Sequence, residues 1–177
     1  MTYAELCRLA DYEVPTTSRV LQLLTGHAAA HIDLKDPDCL TGIMSQALSL
    51  LAPASVILTT GDPAVIRELR QRHPAVPAGL TISADLPETA HYLVRRARRL
   101  VRSRLDAVLE SGASWAVVQQ RLARPDLLAD CRRHSLATMV WTVNDESAMT
   151  RLLASPDVDV LVTDRPGRAA ALRRERA

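Results

Sequence analysis

Apolar residues along this chain follow two spacings that alternate from one end to the other. In some segments they recur every three or four residues, as at Leu40, Met44, Ala47 and Leu51, which predicts a helix with one buried face. Between these segments lie short apolar runs bounded by Gly, Pro, Asp or Asn, which are typical of buried strands. The predicted strands cover residues 28–34, 55–60, 79–83, 114–119, 138–144 and 159–164. The predicted helices cover residues 16–25, 39–51, 62–72, 88–111, 125–134 and 146–154, with further helical spacing at 2–12 and in the C-terminal tail.

Strands that alternate with helices at intervals of about 20–30 residues predict βαβ units and a parallel sheet. Right-handed crossovers place all the helices on one side of such a sheet if it curls like a barrel. The sequence contains no linker or low-complexity tract, so we expect residues 1–177 to form a single α/β domain.

The composition excludes several classes of protein. The chain has 177 residues, of which 47% are hydrophobic and 24% charged, and its net charge is only +2, too small to imply nucleic-acid binding. No apolar run approaches the ~20 residues that span a bilayer, and residues 2–12 do not resemble a secretory leader. Three unpaired cysteines, Cys7, Cys39 and Cys131, fit a reducing compartment, so we expect a cytoplasmic protein in which they serve as packing residues.

The first candidate site lies on the predicted strand at residues 28–34. His31, Asp33 and Lys35 share one face because side chains alternate along a strand. Lys35 is the only lysine in a chain with 21 arginines. A divalent cation would bind Asp33 and a phosphate would bind Lys35, whereas the alternative is an ion pair between the two that binds nothing else. We interpret His31 as a core or rim histidine, with a catalytic role as the alternative.

Two further segments end predicted strands with polar residues. In the segment 138–145, Trp141 shares a face with Met139 and Val143, where it either lines a ligand pocket or, as we favour, fills a core that has no Phe. Asp164 ends the last strand, where it either belongs to a site or caps the following helix.

Taken together, residues 31–35 (HIDLK), 138–145 (TMVWTVND) and 159–166 (DVLVTDRP) resemble, in order and spacing, motifs of the glycerophosphodiester phosphodiesterases. Residues 13–24 also resemble the stretch that precedes the first of these motifs in that family. The resemblance implies a phospholipase C-like (β/α)8 TIM barrel, of which about six of the eight parallel strands are present here. It also implies metal-dependent hydrolysis of phosphoric diesters in lipid metabolism, with glycerophosphodiesters as the small-molecule substrates.

The resemblance also assigns roles to individual residues. Asp33 matches a metal-binding carboxylate, usually Glu in the family, and the implied cofactor is Mg²⁺ or Ca²⁺. Lys35 matches the catalytic lysine near the phosphate, and Trp141 matches the tryptophan that lines the substrate pocket. The family's Ser-Phe after its fourth strand is replaced here by Thr60-Gly61.

The family's first two strands carry a His-Arg-Gly motif, a Glu-x-Asp metal pair and a second catalytic histidine, and the sequence contains none of these. We therefore expect the first two strands of the barrel to be absent and the two edges of the sheet to be open. Open parallel edges favour pairing with a second copy or with a partner chain.

The helix predicted at 88–111 has a basic side and an apolar side. Its basic residues are Arg95, Arg96, Arg98, Arg99, Arg102 and Arg104. This side would either contact anionic lipid headgroups or, as we favour, face solvent.

Three hypotheses for function remain. The first is a metal-dependent phosphodiesterase that obtains its missing ligands elsewhere. The second is a non-catalytic barrel fragment that binds a phosphate headgroup or a partner protein. The third is an incomplete gene product.

Overall fold

The computed structural model describes residues 2–83 and 94–175, which form a six-stranded parallel sheet flanked by eight helices. The strands are β1 (Ala30–Asp33), β2 (Val56–Thr60), β3 (Ala78–Ile82), β4 (Trp115–Gln119), β5 (Ala137–Trp141) and β6 (Val160–Leu161). The helices are α1 (Tyr3–Ala10), α2 (Thr17–Leu24), α3 (Leu40–Leu50), α4 (Pro63–Arg72), α5 (Val94–Ser111), α6 (Pro125–Arg133), α7 (Glu146–Leu153) and α8 (Pro166–Arg174).

The strands lie in the sheet in the order in which they occur along the chain, and every neighbouring pair is parallel. Each strand is joined to the next by a helical crossover, as in a barrel in which all crossovers run the same way round. The expected fold, an incomplete (β/α) barrel with six parallel strands, is therefore confirmed.

The register between strands divides the side chains into two faces, because paired residues of parallel strands point to the same side. Asp33 in β1 pairs with Thr59 in β2, and Gln119 in β4 pairs with Trp141 in β5. Along each strand, the residues that alternate with these point to the other side and form the helix-facing side of the sheet. Its buried members include Ala30, Val56, Leu58, Ala78, Leu80, Ile82, Ala116, Val118 and Val140.

The helices complete the main core on this side. Each of the central helices directs aliphatic side chains toward the sheet, in accordance with the three-to-four-residue spacing of its sequence. The largest of these buried side chains are Met44, Ile66, Leu69, Val108, Met149 and Leu152. The core is thus aliphatic, as a chain without Phe requires.

The opposite face of the sheet is closely packed at its centre. Val117 and Met139 are buried there without belonging to the main core. A Cβ atom at Gly79 would lie 2.7 Å from Cγ2 of Val117 and 3.1 Å from Cγ2 of Thr59. Side chains of neighbouring strands therefore converge on this face, and only glycine fits at position 79.

The last two strands are shorter than predicted. β5 ends at Trp141 rather than Asn144, and β6 comprises two residues instead of six. The backbone nevertheless stays paired beyond these limits, since the Val143 amide donates to the Val162 carbonyl at 2.9 Å. The predicted shared face of Trp141 and Val143 is wrong, because Val143 belongs to the main core.

The bounds of the helices agree with those predicted from the sequence to within a few residues, apart from the helix predicted at 88–111. Residues 88–93 of that predicted helix, which include His91, lie outside the described residues. The side chains of residues 94–101, which include four of the six arginines, also lie outside them. Arg102 and Arg104 are exposed, in accordance with the solvent-facing interpretation of this helix. In the described ranges no helix is long and apolar enough to cross a membrane.

The three cysteines are free and occupy different environments. Cys131 is buried in the core, and this burial raises the pKa of its thiol to about 11. Cys7 is half-buried, and its sulfur accepts a hydrogen bond from the Val14 amide at 3.4 Å. Cys39 is exposed, so the prediction that every cysteine is a packing residue is wrong for this one.

Candidate functional site

A cleft of about 560 Å³ opens at the carboxyl ends of the strands, the edge where parallel α/β sheets place their ligands. All six strands, or the loops that directly follow them, contribute to its walls. The polar side chains among its lining residues are His31, Asp33, Lys35, Thr59, Thr60, Asp62, Thr81, Ser83, Trp141 and Thr142.

β1 brings the three predicted ionisable residues to this cleft on one side of the strand. Lys35 Nζ lies 2.7 Å from Asp33 Oδ2, and the lysine side chain is 83% exposed whereas that of Asp33 is 45% exposed. The ion pair considered as the alternative in the sequence analysis is therefore present. It lies at the rim of the cleft, and its ammonium group faces solvent.

Thr59 of β2 contacts both His31 and Asp33. Its Oγ1 lies 2.8 Å from His31 Nε2 and 3.4 Å from Asp33 Oδ1. A hydroxyl has one hydrogen to donate, and the carboxylate can only accept. Thr59 therefore donates to Asp33 and accepts from His31, which places the proton of a neutral His31 on Nε2.

Burial is the main influence on His31 and lowers the pKa of its imidazole, while the nearby Asp33 carboxylate opposes this shift. A pKa below the ordinary 6.5 leaves the ring neutral at pH 7. His31 is thus a hydrogen-bonded rim histidine, as interpreted from the sequence. Among the described histidines, it alone lines the cleft.

Trp141 is half-buried in the wall of the cleft at the end of β5. Its indole Nε1 donates to the Val117 carbonyl in β4 at 3.3 Å, which fixes the plane of the ring. The interpretation that Trp141 fills the core is wrong, because it lies on the cleft face of the sheet and outside the main core.

The loops that follow β5 and β6 are held together by Asn144. Its Nδ2 donates to Asp164 Oδ2 at 2.7 Å, and its Oδ1 accepts from the Asp164 amide at 3.0 Å and from Thr163 Oγ1 at 3.1 Å. The alternative that Asp164 caps the following helix is wrong, since α8 begins after Arg165 without a side-chain cap. The residues 141–144 and 163–166 are thus one structural unit.

The sequence analysis did not predict the hydrogen-bonding roles of two residues in this arrangement, Thr59 and Asn144. Thr59 lies at the end of a buried strand, and two consecutive threonines in an otherwise aliphatic run were a usable signal. The role of Asn144 depends on the pairing of two distant loops, for which the sequence pattern offers no signal.

The described residues do not by themselves form a site for Mg²⁺ or Ca²⁺. These ions take six or more oxygen ligands, several of them from carboxylates and carbonyls. No group of three His, Cys, Asp or Glu residues with the geometry to hold a metal ion occurs in residues 2–83 and 94–175. Asp33, the expected ligand, is paired with the Lys35 ammonium.

Several solved structures share this fold. A protein of Silicibacter pomeroyi described as a glycerophosphoryl diester phosphodiesterase is 23% identical with a TM-score of 0.75, and the match covers 92% of this chain and 57% of that one. A glycerophosphodiester phosphodiesterase from Parabacteroides distasonis is 16% identical with a TM-score of 0.73, covering 99% of this chain and 71% of that one.

A third similar structure is a phosphodiesterase from Oleispira antarctica in complex with its product sn-glycerol-3-phosphate. It is 13% identical with a TM-score of 0.68, and the match covers 89% of this chain and 60% of that chain. The chain thus spans little more than half the length of the Silicibacter protein. No curated protein matches the sequence.

The family assignment rests on the sequence itself. The family model for the glycerophosphoryl diester phosphodiesterases matches residues 24–168, which include β1 with its ion pair and the unit formed by residues 141–144 and 163–166. This match covers most of the chain and contains each of the three motifs singled out in the sequence. The chain therefore belongs to the glycerophosphoryl diester phosphodiesterase family.

Proposed function

We propose that the cleft binds glycerophosphodiesters through their phosphate group. The observation that carries this proposal is the position of Lys35, whose largely exposed ammonium group stands at the rim of the cleft, 2.7 Å from Asp33. A lysine ammonium is a compact point charge that suits a phosphate oxygen. The complex of the Oleispira antarctica phosphodiesterase with sn-glycerol-3-phosphate supports a glycerol phosphate ligand.

The other cleft residues fit such a ligand. The half-buried Trp141 ring offers an apolar surface for the glycerol carbons, and the Thr81 and Ser83 hydroxyls offer hydrogen bonds. Lys35 stabilises the negative charge of the phosphate, and Trp141 shapes the substrate pocket. Residues 1–177 serve this function as a single domain.

Hydrolysis of the bound phosphodiester, as a step of lipid metabolism, is the second candidate, and the family match over residues 24–168 favours it. Hydrolysis needs a group to move protons and, by family resemblance, Mg²⁺ or Ca²⁺ held in part by Asp33. The described residues do not bring such a set together, so binding is the function that the geometry supports best.

Binding is tested by calorimetric titration of glycerophosphoglycerol into the protein and its Lys35→Met variant. We expect the loss of one charge-assisted contact to weaken binding roughly tenfold or more. Arg104→Met, which removes an exposed cation that does not line the cleft, is the matched control and should leave affinity unchanged. Equal affinity in the Lys35→Met variant and the wild type would contradict the proposal.

Hydrolysis is tested on a panel of glycerophosphodiesters with Mg²⁺, with Ca²⁺ and with EDTA, beside Asp33→Ala. Turnover that requires the cation and disappears in Asp33→Ala supports the enzymatic candidate. Binding without turnover above the level of the variant leaves phosphate binding as the function.

A further inference from the structure

The two carboxylate oxygens of Asp33 already have partners within this chain. Oδ2 lies 2.7 Å from the Lys35 ammonium, and Oδ1 accepts the single hydroxyl hydrogen of Thr59 at 3.4 Å. Thr59 is itself held by His31 Nε2 at 2.8 Å. Asp33 therefore has two partners, whereas Asp33 is the one ion-pair partner of the more exposed Lys35 among the described residues.

The charges that line the cleft are unbalanced toward the negative. Among the described lining residues, Lys35 is the one cation, and Asp33 and Asp62 are the two carboxylates. Asp62 remains in place because its Oδ1 caps α4, accepting from the Ala64 amide at 2.7 Å.

We infer that Asp33 acts as the counter-ion of Lys35 and makes the site selective for monoanionic phosphodiesters over dianionic phosphate monoesters, without a divalent cation. This inference rests on the proposed function, since it concerns the same cleft and the same lysine.

The selectivity follows from which partner moves when a ligand binds. An exposed ion pair is weak, so Lys35 can turn from Asp33 to a phosphate oxygen at little cost. Asp33 stays where Thr59 holds it and then faces the bound phosphate across a short distance. A phosphodiester carries one negative charge, whereas a phosphate monoester carries nearly two above its second pKa of about 6. The repulsion from Asp33 is therefore greater for the monoester.

The inference is tested by titration at pH 8 in EDTA with two ligands that share a glycerol phosphate group. Glycerophosphoglycerol carries one negative charge, and glycerol 3-phosphate carries two. We expect the wild-type protein to bind the phosphodiester more tightly. Asp33→Asn keeps the shape of the side chain and removes its charge, so it should tighten binding of the monoester and lower the selectivity at least about threefold. Asp106→Asn, the same charge change at an exposed position on α5 that does not line the cleft, should leave the selectivity unchanged.

Each alternative outcome has a separate meaning. If the phosphodiester binds only with Mg²⁺ or Ca²⁺ and Asp33→Asn abolishes binding, the proposed function stands and this inference is overturned. If binding occurs in EDTA but Asp33→Asn leaves the selectivity unchanged, the inference is likewise overturned. If the phosphodiester binds neither with nor without a cation, the proposed function fails and this inference fails with it. Tighter binding of the monoester than of the phosphodiester by the wild-type protein would overturn the inference even if Asp33→Asn does not fold.

Discussion

Thr59 joins the first two strands of the sheet through its side chain as well as its backbone. It is buried, and its hydroxyl donates to Asp33 while accepting from His31. The side chains that flank the candidate site therefore depend on one oxygen atom for their relative positions.

Replacement of Thr59 by Val, which keeps the shape and removes the hydroxyl, should lower the free energy of unfolding by about 1 kcal/mol. The expected loss is modest because His31 and Asp33 are partly exposed and water replaces part of the lost hydrogen bonding. Urea denaturation followed by circular dichroism measures it. Thr142→Val, the same change at an exposed position, should stay within about 0.5 kcal/mol of the wild type. Equal losses in the two variants would show that the hydroxyl bridge adds nothing to stability.

For single residues, the sequence predicted side-chain contacts along one strand but not contacts between neighbouring strands. The alternation of side chains placed Asp33 and Lys35 on one face, and they form an ion pair there. Thr59 could not be assigned to the same group, because the register of β1 against β2 is set by packing of both strands against the helices. Trp141 was placed on the correct strand, but the composition argument that it fills the core failed because aliphatic residues fill that core without it.

Among the helices and strands, β3 contains a glycine that its neighbours leave no room to replace. Gly79 lies where Val117 and Thr59 converge from the strands on either side, and a Cβ atom would approach Val117 Cγ2 to 2.7 Å. α3 also contains a glycine, Gly42, around which a Cβ atom would meet nothing within 4 Å. The two positions offer a matched pair in which the same substitution has opposite effects.

We expect Gly79→Ala to lower the free energy of unfolding by about 1–3 kcal/mol, since the sheet must shift to admit the methyl group. Gly42→Ala should raise it by about 0.5 kcal/mol, because alanine has the higher helix propensity. Thermal and urea unfolding of both variants measure the changes. A neutral Gly79→Ala variant would contradict the close packing described for this face.

Element type was predictable from the sequence, and element length was less so. The periodicity identified each described strand and helix, and the starts of α4 and α7, which Asp62 and Asp145 cap, lie within one residue of the predicted bounds. The ends of β5 and β6 differ because Asn144 supplies hydrogen bonds that a regular strand would otherwise obtain from its neighbour. Hydrogen bonds from a side chain that replace backbone pairing in this way cannot be predicted from the spacing of apolar residues.

The molecule as a whole has two sheet edges, since β1 and β6 each pair with a single strand among the described residues. The segment that precedes β1, with α1 and α2, also exposes apolar side chains. These are Tyr3, Leu6, Leu9, Tyr12, Val20 and Leu23. Edge strands and exposed apolar groups both favour association, so the expectation of pairing with a second copy remains a prediction.

We expect sedimentation velocity to reveal a dimer whose fraction rises with protein concentration. Leu9→Glu should shift the protein toward the monomer without lowering its free energy of unfolding, since this side chain is 77% exposed. Arg104→Glu, which also places an acid at an exposed helical position, should leave the dimer intact. A single monomeric species at every concentration would contradict the prediction.

The overall architecture could be predicted because alternation of strand and helix restricts a chain of this length to few topologies. The number of parallel strands was obtained from the same count. What occupies the edges could not be predicted, since an edge strand has the same alternation as a strand with two neighbours.

The sequential order of the strands also bears on how the sheet assembles. Each strand pairs only with the strands that precede and follow it along the chain, so no pairing waits for a distant segment to arrive. Each pairing nevertheless spans a helical crossover, as between Asp33 and Thr59 or between Gly79 and Trp115, so structure grows from one strand–helix–strand unit to the next. Local opening of β6, the shortest strand, leaves the pairing among β1 to β5 intact. The sheet is therefore built to fray from its edges while its centre, with the tightly packed Gly79, stays closed.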